Sequence, residues 1–147
     1  MSPNNLDNDQ ASYVKPEYPF SEVTGRIIAA AKQVHKNLGP GFEEVIYQRA
    51  LALELSGYNL EFSREVWIDV HYRDHVIGRK RVDFIIEDVM VEIKAREAIE
   101  AVHVIQALSY LRASGYPIGL LLNFGAKSLE IKRLIHTSKG IHASLEN

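Results

Sequence analysis

Residues 82–94 read VDFIIEDVMVEIK, and this stretch decides the fold. Apolar positions flank the dipeptide Glu87-Asp88, a pattern typical of two antiparallel strands joined by a two-residue turn. Because side chains alternate along a strand, that turn places six apolar residues on one face: Ile86 with Val89, Phe84 with Val91, and Val82 with Ile93. The opposite face then pairs Ile85 with Met90, Asp83 with Glu92, and Arg81 with Lys94. A one-residue slip would mix the two faces, so the hairpin register supports itself.

This register places the carboxylates of Asp83 and Glu92 opposite each other, with Cβ atoms roughly 5 Å apart. Like charges at that distance repel unless a cation lies near them. Lys94 is on the same face, two residues beyond Glu92. Two facing acids and a lysine suit a hard divalent cation, Mg²⁺ or Mn²⁺, and the hydrolysis of a phosphate ester. The alternative is a solvated hairpin face with ordinary cross-strand ion pairs.

The rest of the chain predicts a mixed α/β or α+β domain. Helical periodicity, stop signals and apolar runs predict elements in the order α-α-β-β-β-α-β-β. The predicted helices cover residues 21–38, 42–56 and 98–114, and the predicted strands cover residues 60–72, 75–86, 89–95, 117–124 and 129–135. Arg73-Asp74 is the predicted turn between the first two strands. We expect a flexible arm over residues 1–19, one domain over residues 20–136 and a flexible tail over residues 137–147.

Composition excludes several classes of protein. The chain has 147 residues and no cysteine, so disulfide frameworks, zinc-thiolate sites, iron–sulfur clusters and cysteine nucleophiles are excluded. No apolar run approaches the roughly 18 residues of a membrane span. The N-terminus resembles no secretory signal, which predicts a cytoplasmic protein with no membrane partner.

The formal net charge is −2, and the first twenty residues account for it. A neutral remainder argues against a protein that binds nucleic acid through its overall field. Local basic residues still flank the acids: Arg79, Lys80 and Arg81 before Asp83, and Lys94 and Arg96 after Glu92. Lys127, Lys132 and Arg133 are candidates to extend this patch. The alternative is that these charges only maintain solubility.

Two further polar stripes fall on predicted helices. Glu44 and Tyr47 lie three residues apart, on one face of the second helix. His103, Gln106 and Tyr110 share a face of the third helix. Each stripe, taken alone, is also typical of a solvated or capping surface.

The chain resembles a known family at these positions. Gly41-x-x-Glu44-x-x-Tyr47 matches the motif that names the GxxExxY protein family. The segments QALSYLR, residues 106–112, and LLNFG, residues 121–125, are similar to the downstream blocks of that family. The similarity covers about residues 21–136. This family is placed within the PD-(D/E)xK nuclease-like superfamily, which implies a restriction-endonuclease-like α-β-β-β-α-β core with a mixed central sheet flanked by helices.

The resemblance also implies the site. The superfamily binds metal with an acid on the second strand and an E-x-K motif on the third, which Asp83 and Glu92-Ile93-Lys94 match. Glu44 resembles an additional acid from the first core helix, and Gln106 matches a polar position on the helix after the E-x-K strand. Val82 replaces the proline of the superfamily name. Asp83, Glu92, the Ile93 carbonyl and Glu44 would hold Mg²⁺ or Mn²⁺.

Three functions remain open at this stage. The first is a metal-dependent nuclease acting on DNA or RNA, in which Lys94 positions the attacking water and Gln106 supports the substrate or the lysine. The second is a non-catalytic module that binds nucleic acid or protein and retains the nuclease fold. The third is a metal-assisted hydrolase of a small phosphorylated substrate. The oligomeric state is not determined by the sequence, and a homodimer is possible.

Overall fold

The computed structural model describes residues 21–137 and 140–146. Within these residues the chain forms three helices and six strands. The helices are α1 (Ser21–Leu38), α2 (Glu44–Gly57) and α3 (Ala101–Ser114). The strands are β1 (Phe62–Tyr72), β2 (His75–Ile86), β3 (Val89–Lys94), β4 (Ile118–Asn123), β5 (Glu130–Thr137) and β6 (Gly140–Glu146). No helix in this described part is long and apolar enough to cross a membrane.

The six strands form one mixed sheet in the order β1-β2-β3-β4-β5-β6. Only β3 and β4 run parallel, and α3 makes the connection between them because parallel neighbours need a crossover. All other neighbours in the sheet are antiparallel. The predicted fold class is therefore confirmed: a mixed sheet flanked by helices, with an α-β-β-β-α-β core.

Helices cover both faces of the sheet and create two apolar clusters. The larger cluster joins α1 and α2 to one face, where Ile27, Leu51 and Phe84 are fully buried. The smaller cluster joins α3 to the opposite face through Ala107 and Leu111. Since both faces are covered, the central strands β3 and β4 are almost entirely buried, as the continuous apolar run of β4 predicts.

The alternation of side chains between the two faces of the sheet is interrupted at one cross-strand position, and this interruption is here called the changed facing. Phe84 packs in the cluster of α1 and α2, whereas Val82 packs in the cluster of α3. Regular alternation would place both on one face. The irregularity falls at Asp83, opposite Glu65, whose φ is positive at 51°. The prediction that Val82 and Ile93 share a face is therefore wrong, because Ile93 remains in the cluster of α1 and α2.

The predicted register of the central hairpin is confirmed only next to its turn. Ile86 faces Val89 and Phe84 faces Val91, but the backbone ladder between β2 and β3 ends there. Arg81 does not pair with Lys94. Its only partner among the described strands is Trp67 of β1, because β1 and β2 remain paired beyond the point where the pairing of β2 with β3 ends.

The C-terminal part of the chain extends the sheet. The sequence predicts a flexible tail over residues 137–147, but Gly140–Glu146 forms β6 and pairs with β5. Ile141, Ala143 and Leu145 alternate with polar residues in this segment, so the sequence does carry the period-two signal of a strand. The flexible N-terminal segment predicted over residues 1–19 lies outside the described residues.

Candidate active site

Asp83 and Glu92 are joined through each other's backbone. The Asp83 N–H donates to Glu92 Oε1 at 2.9 Å, and the Ile93 N–H donates to Asp83 Oδ2 at 2.7 Å. These amides lie just beyond the last backbone pair of β2 and β3, where ladder partners are no longer in place. Buried amide N–H groups need acceptors, and here the two carboxylates accept the hydrogen bonds that strand carbonyls would accept in a continuous ladder. The bonds fix both side chains in the opening between the strands.

Burial raises the pKa values of both acids. Glu92 is 7% exposed. Burial, followed by the charge of Asp83, raises the pKa of Glu92 to about 8, against the lowering effects of the Asp83 N–H and Lys94. Burial also raises the pKa of Asp83, and the charge of Glu44 adds to this, while the Ile93 N–H, Gln48 and Lys94 lower it. Removing the charges from water costs more than these hydrogen bonds return.

Glu44 and Lys94 act on this pair from two sides. Glu44 is the first residue of α2 and is exposed. Its charge raises the pKa of Asp83 and of Glu92, whereas the Lys94 ammonium lowers both. The structure therefore brings Glu44 and Lys94 within electrostatic range of the two carboxylates.

The loop before α2 is held by Tyr47. The Tyr47 hydroxyl donates to the Gly39 carbonyl at 2.6 Å and accepts from the Phe42 N–H at 3.1 Å. Its ring stacks on Phe124 with centroids 4.9 Å apart. Gly41 has a φ of +117°, which L side chains rarely adopt. The glycine and tyrosine of the Gly41-x-x-Glu44-x-x-Tyr47 motif thus fix where α2 starts, and with it the position of Glu44.

Two residues next to Asp83 were not assigned to the site from the sequence, although Gln48 was noted four residues after Glu44. Gln48 is 6% exposed, and its Nε2 donates to Asp83 Oδ1 at 3.1 Å. Arg64 of β1 donates from its guanidinium to Gln48 Oε1 at 2.7 Å. Gln48 lies one turn after Glu44, so helical spacing placed it on the right face. No sequence signal linked it to Arg64, because that contact depends on the changed facing at Glu65.

The remaining predicted residues lie on neighbouring elements. Ile93 is buried, and its backbone N–H serves Asp83 as described. Gln106 lies on α3 with an exposed side chain. Tyr110 lies one turn further along α3. Burial raises the pKa of its hydroxyl, and the charge of Glu92 raises it further, so Tyr110 lies within electrostatic range of Glu92. The side of α3 that carries Tyr110 is therefore close to Glu92.

A buried amide supports the end of β3. Asn123, the partner of Lys94 on β4, accepts from the Arg96 N–H at 2.8 Å and donates to the Arg96 carbonyl at 2.9 Å. It also donates to Glu130 Oε1 at 2.7 Å. The backbone at Gly125 passes so close to residues 95 and 96 that a Cβ would lie 2.5 Å from three of their backbone atoms. The LLNFG segment thus holds the loop that follows Lys94.

The predicted basic patch is only partly present. Arg79, Lys80 and Arg81 are exposed on β2. Arg133 is fully buried and donates to Thr24 of α1 at 2.6 Å, so it does not extend the patch as predicted.

The chemistry of the donor groups fits a hard divalent cation. Asp83 and Glu92 offer carboxylate oxygens, and their repulsion and burial are the conditions that a bound cation relieves. Over residues 21–137 and 140–146, however, no group of three or more histidine, cysteine, aspartate or glutamate side chains is arranged to hold a metal ion. A bound ion would therefore need backbone or water oxygens, or a shift of Glu44, in addition to the two acids.

The fold and the acid–acid–lysine arrangement define a restriction-endonuclease-like domain. The family model of the PD-(D/E)XK nuclease superfamily matches residues 21–134, and the chain belongs to this superfamily. Proteins of this superfamily generally use divalent metal ions and act on nucleic acid. No curated protein and no solved structure matches the chain.

Proposed function

We propose that this protein is a metal-dependent nuclease that hydrolyses phosphodiester bonds of DNA or RNA, and that it belongs to the GxxExxY group of the superfamily. One observation carries the proposal: the buried carboxylate of Glu92 and the half-buried carboxylate of Asp83 are fixed in the opening between β2 and β3, with the Lys94 ammonium close enough to lower the pKa values of both. A fold maintained only for stability gains nothing from placing a buried acid beside a half-buried one.

Asp83, Glu92, the Ile93 carbonyl and Glu44 would hold Mg²⁺ or Mn²⁺. When bound, such an ion lowers the pKa of a coordinated water and neutralises phosphate charge. The chain's own contribution is to hold the two carboxylates in place: each accepts a backbone N–H, and Gln48 donates to Asp83.

Lys94 would orient the attacking water and stabilise the negative charge that develops on the phosphate. A protonated lysine has no free electron pair, so it acts beside the ion and does not ligate it. Gln106, exposed on α3, would contact the substrate or support Lys94. Arg64, exposed and held by Gln48, offers further N–H donors to a phosphate beside Asp83.

The GxxExxY assignment is supported by what the motif residues do. Gly41 adopts a positive φ, Tyr47 ties the start of α2 to Gly39, and Glu44 acts electrostatically on both acids. The three residues of the motif thus share one task, which is to bring an acid to the site.

The test is calorimetric titration of Mn²⁺ into the wild type and Asp83→Asn, followed by cleavage assays on single- and double-stranded DNA and RNA. Asp83→Asn keeps the shape of the side chain and its acceptor for the Ile93 N–H, and it removes the charge. We expect binding by the wild type, weak or no binding by Asp83→Asn, and cleavage by the wild type alone. Absence of Mn²⁺ binding at millimolar concentrations would contradict the proposal.

A non-catalytic module is the second candidate. The observation in its favour is that the described residues contain no three metal-binding side chains already grouped. Binding of nucleic acid by the wild type without cleavage of any substrate, with Mn²⁺ present and bound, would favour this alternative.

A further inference from the structure

The β1–β2 hairpin extends well beyond the rest of the sheet. Only Phe84–Ile86 of β2 pair with β3, while the pairing of β1 with β2 continues to the turn at Arg73 and Asp74. The outer part of β2, from His75 to Arg81, is exposed throughout. This projecting part of the hairpin, residues 66–82, is here called the arm.

One face of the arm is covered and the other is open. Ile68 and Val82 are buried in the cluster of α3. Because neighbouring residues on a strand point to opposite faces, Trp67 and Arg81 lie on the open face. That face lies on the side of the sheet that α1 and α2 cover further along. Arg81 is two residues from Asp83, so the open face leads directly to the candidate active site.

The open face carries an aromatic ring next to two cations. Trp67 is 51% exposed. The Arg79 guanidinium carbon lies 4.8 Å from the centroid of the indole, and that of Arg81 lies 5.3 Å from it. Asp69 reaches Arg79 at 3.5 Å, but both side chains are at least half exposed, so this ion pair is weak and screened. Each guanidinium retains donors for a phosphate.

We propose that the open face of the arm binds a nucleic-acid strand with unpaired bases, which rests on the proposed nuclease function. Phosphates bind Arg79 and Arg81, and a base stacks on Trp67. The two components match a polyanion that carries exposed planar rings. A single strand is favoured over a duplex because the faces of bases in a duplex are already stacked. The strand then continues toward Asp83.

Trp67 is the only tryptophan of the 147 residues, so indole emission, excited at wavelengths that the seven tyrosines do not absorb, reports on this position alone. We would titrate the wild type with oligothymidylate in EDTA, which prevents cleavage, and follow indole emission. Separate anisotropy titrations with labelled oligothymidylate and with a labelled duplex measure affinity. We expect binding of the single strand with quenching of Trp67. Binding without any change in indole emission overturns the inference.

Variants separate stacking from charge. Trp67→Ala should bind the single strand about tenfold more weakly, and Trp67→Phe should recover most of that loss. Arg79→Gln with Arg81→Gln should reduce the slope of log affinity against log salt by about 1.4, the value for two phosphate contacts on a single strand. The matched control is Lys36→Gln with Arg49→Gln, which removes two exposed charges from α1 and α2. It should change neither quenching nor specificity for the single strand.

The outcomes distinguish this inference from the proposed function. If the wild type binds oligonucleotides and the Trp67 and arginine variants bind equally well, the arm is not the binding surface, although the nuclease proposal stands. If Trp67→Ala weakens binding of duplex as much as of single strand, stacking on an unpaired base is wrong. If the wild type binds no single strand, duplex or RNA, both proposals fail. Circular dichroism of each variant establishes that the fold is retained.

Discussion

Asp83 and Glu92 depend on each other in two opposite ways. Each carboxylate is placed by a hydrogen bond that involves the other residue or its neighbour, yet each charge disfavours ionisation of the other. Geometry and electrostatics are therefore in conflict within this pair. A bound cation would remove this conflict and would leave the orienting hydrogen bonds as a net advantage.

Lys94→Ala should reduce cleavage by about a hundredfold or more, roughly 2.7 kcal/mol of transition-state stabilisation, with little change in Mn²⁺ affinity. The reason is that the ammonium stabilises charge that appears during the reaction and does not ligate the ion. Single-turnover cleavage and calorimetry measure the two effects. Lys36→Ala, an exposed lysine of α1, is the control. If Lys94→Ala cleaves as the wild type does and only its melting temperature falls, Lys94 merely neutralises the acids.

Gln48→Met should weaken Mn²⁺ binding by about tenfold, because side chains that orient a metal ligand typically contribute 10- to 100-fold. Methionine keeps the volume of the buried side chain but neither donates to Asp83 nor accepts from Arg64. Calorimetry at one pH is the measurement. Arg64→Met separates the two bonds, since it leaves the bond from Gln48 to Asp83. Equal Mn²⁺ affinity in Gln48→Met and the wild type would show that Asp83 needs no support from α2.

Among the elements, the sequence predicted those whose signals are local. The turn at Arg73-Asp74 and the pairing of Phe84 with Val91 follow from alternation and turn chemistry. The changed facing at Asp83 could not be predicted, because it depends on the backbone of Glu65, a residue with no glycine-like preference for positive φ. Asp83 and Glu92 were identified as partners from the hairpin register, whereas Arg64 was missed because its contact with Gln48 depends on this irregularity.

Gly125→Ala should destabilise the loop after β3 strongly. The added Cβ would lie 2.5 Å from backbone atoms of Ala95 and Arg96, which cannot move without disturbing Asn123. We expect a loss of about 1–3 kcal/mol in the free energy of unfolding, measured by urea denaturation. Gly57→Ala, at the end of α2, meets nothing within 4 Å and should be neutral or slightly stabilising. Equal stability of both variants would contradict the close packing of the two loops.

For the whole molecule, the buried acids link stability to pH. The pKa of Glu92 is raised from its usual 4.5 to about 8 in the folded protein. The folded state therefore holds this proton more tightly than the unfolded state, and stability falls as the pH rises from about 4.5 to about 8. Thermal melts without divalent ions should show this decline. Glu92→Gln should reduce it, since an amide does not titrate.

The same thermal melts can be repeated with divalent ions present. An ion that binds the folded state alone raises stability by mass action, and its effect should grow with pH because protons compete for the same carboxylates. We expect Mg²⁺ at millimolar concentrations to raise the melting temperature more at pH 8 than at pH 5. A pH-independent melting temperature in EDTA would show that neither acid is perturbed in solution.

The side chain of Asn123 also protects two amide hydrogens from exchange with solvent. Its Oδ1 accepts the amide hydrogens of Arg96 and Gly125, which lie in connecting segments that would otherwise exchange quickly. Because Asn123 is fully buried at the end of β4, we expect these two hydrogens to exchange only when the segment around that side chain opens. In deuterium oxide, two loop amides next to the candidate active site should therefore remain protonated as long as the amides of β4 do, while those at the tip of the arm exchange early.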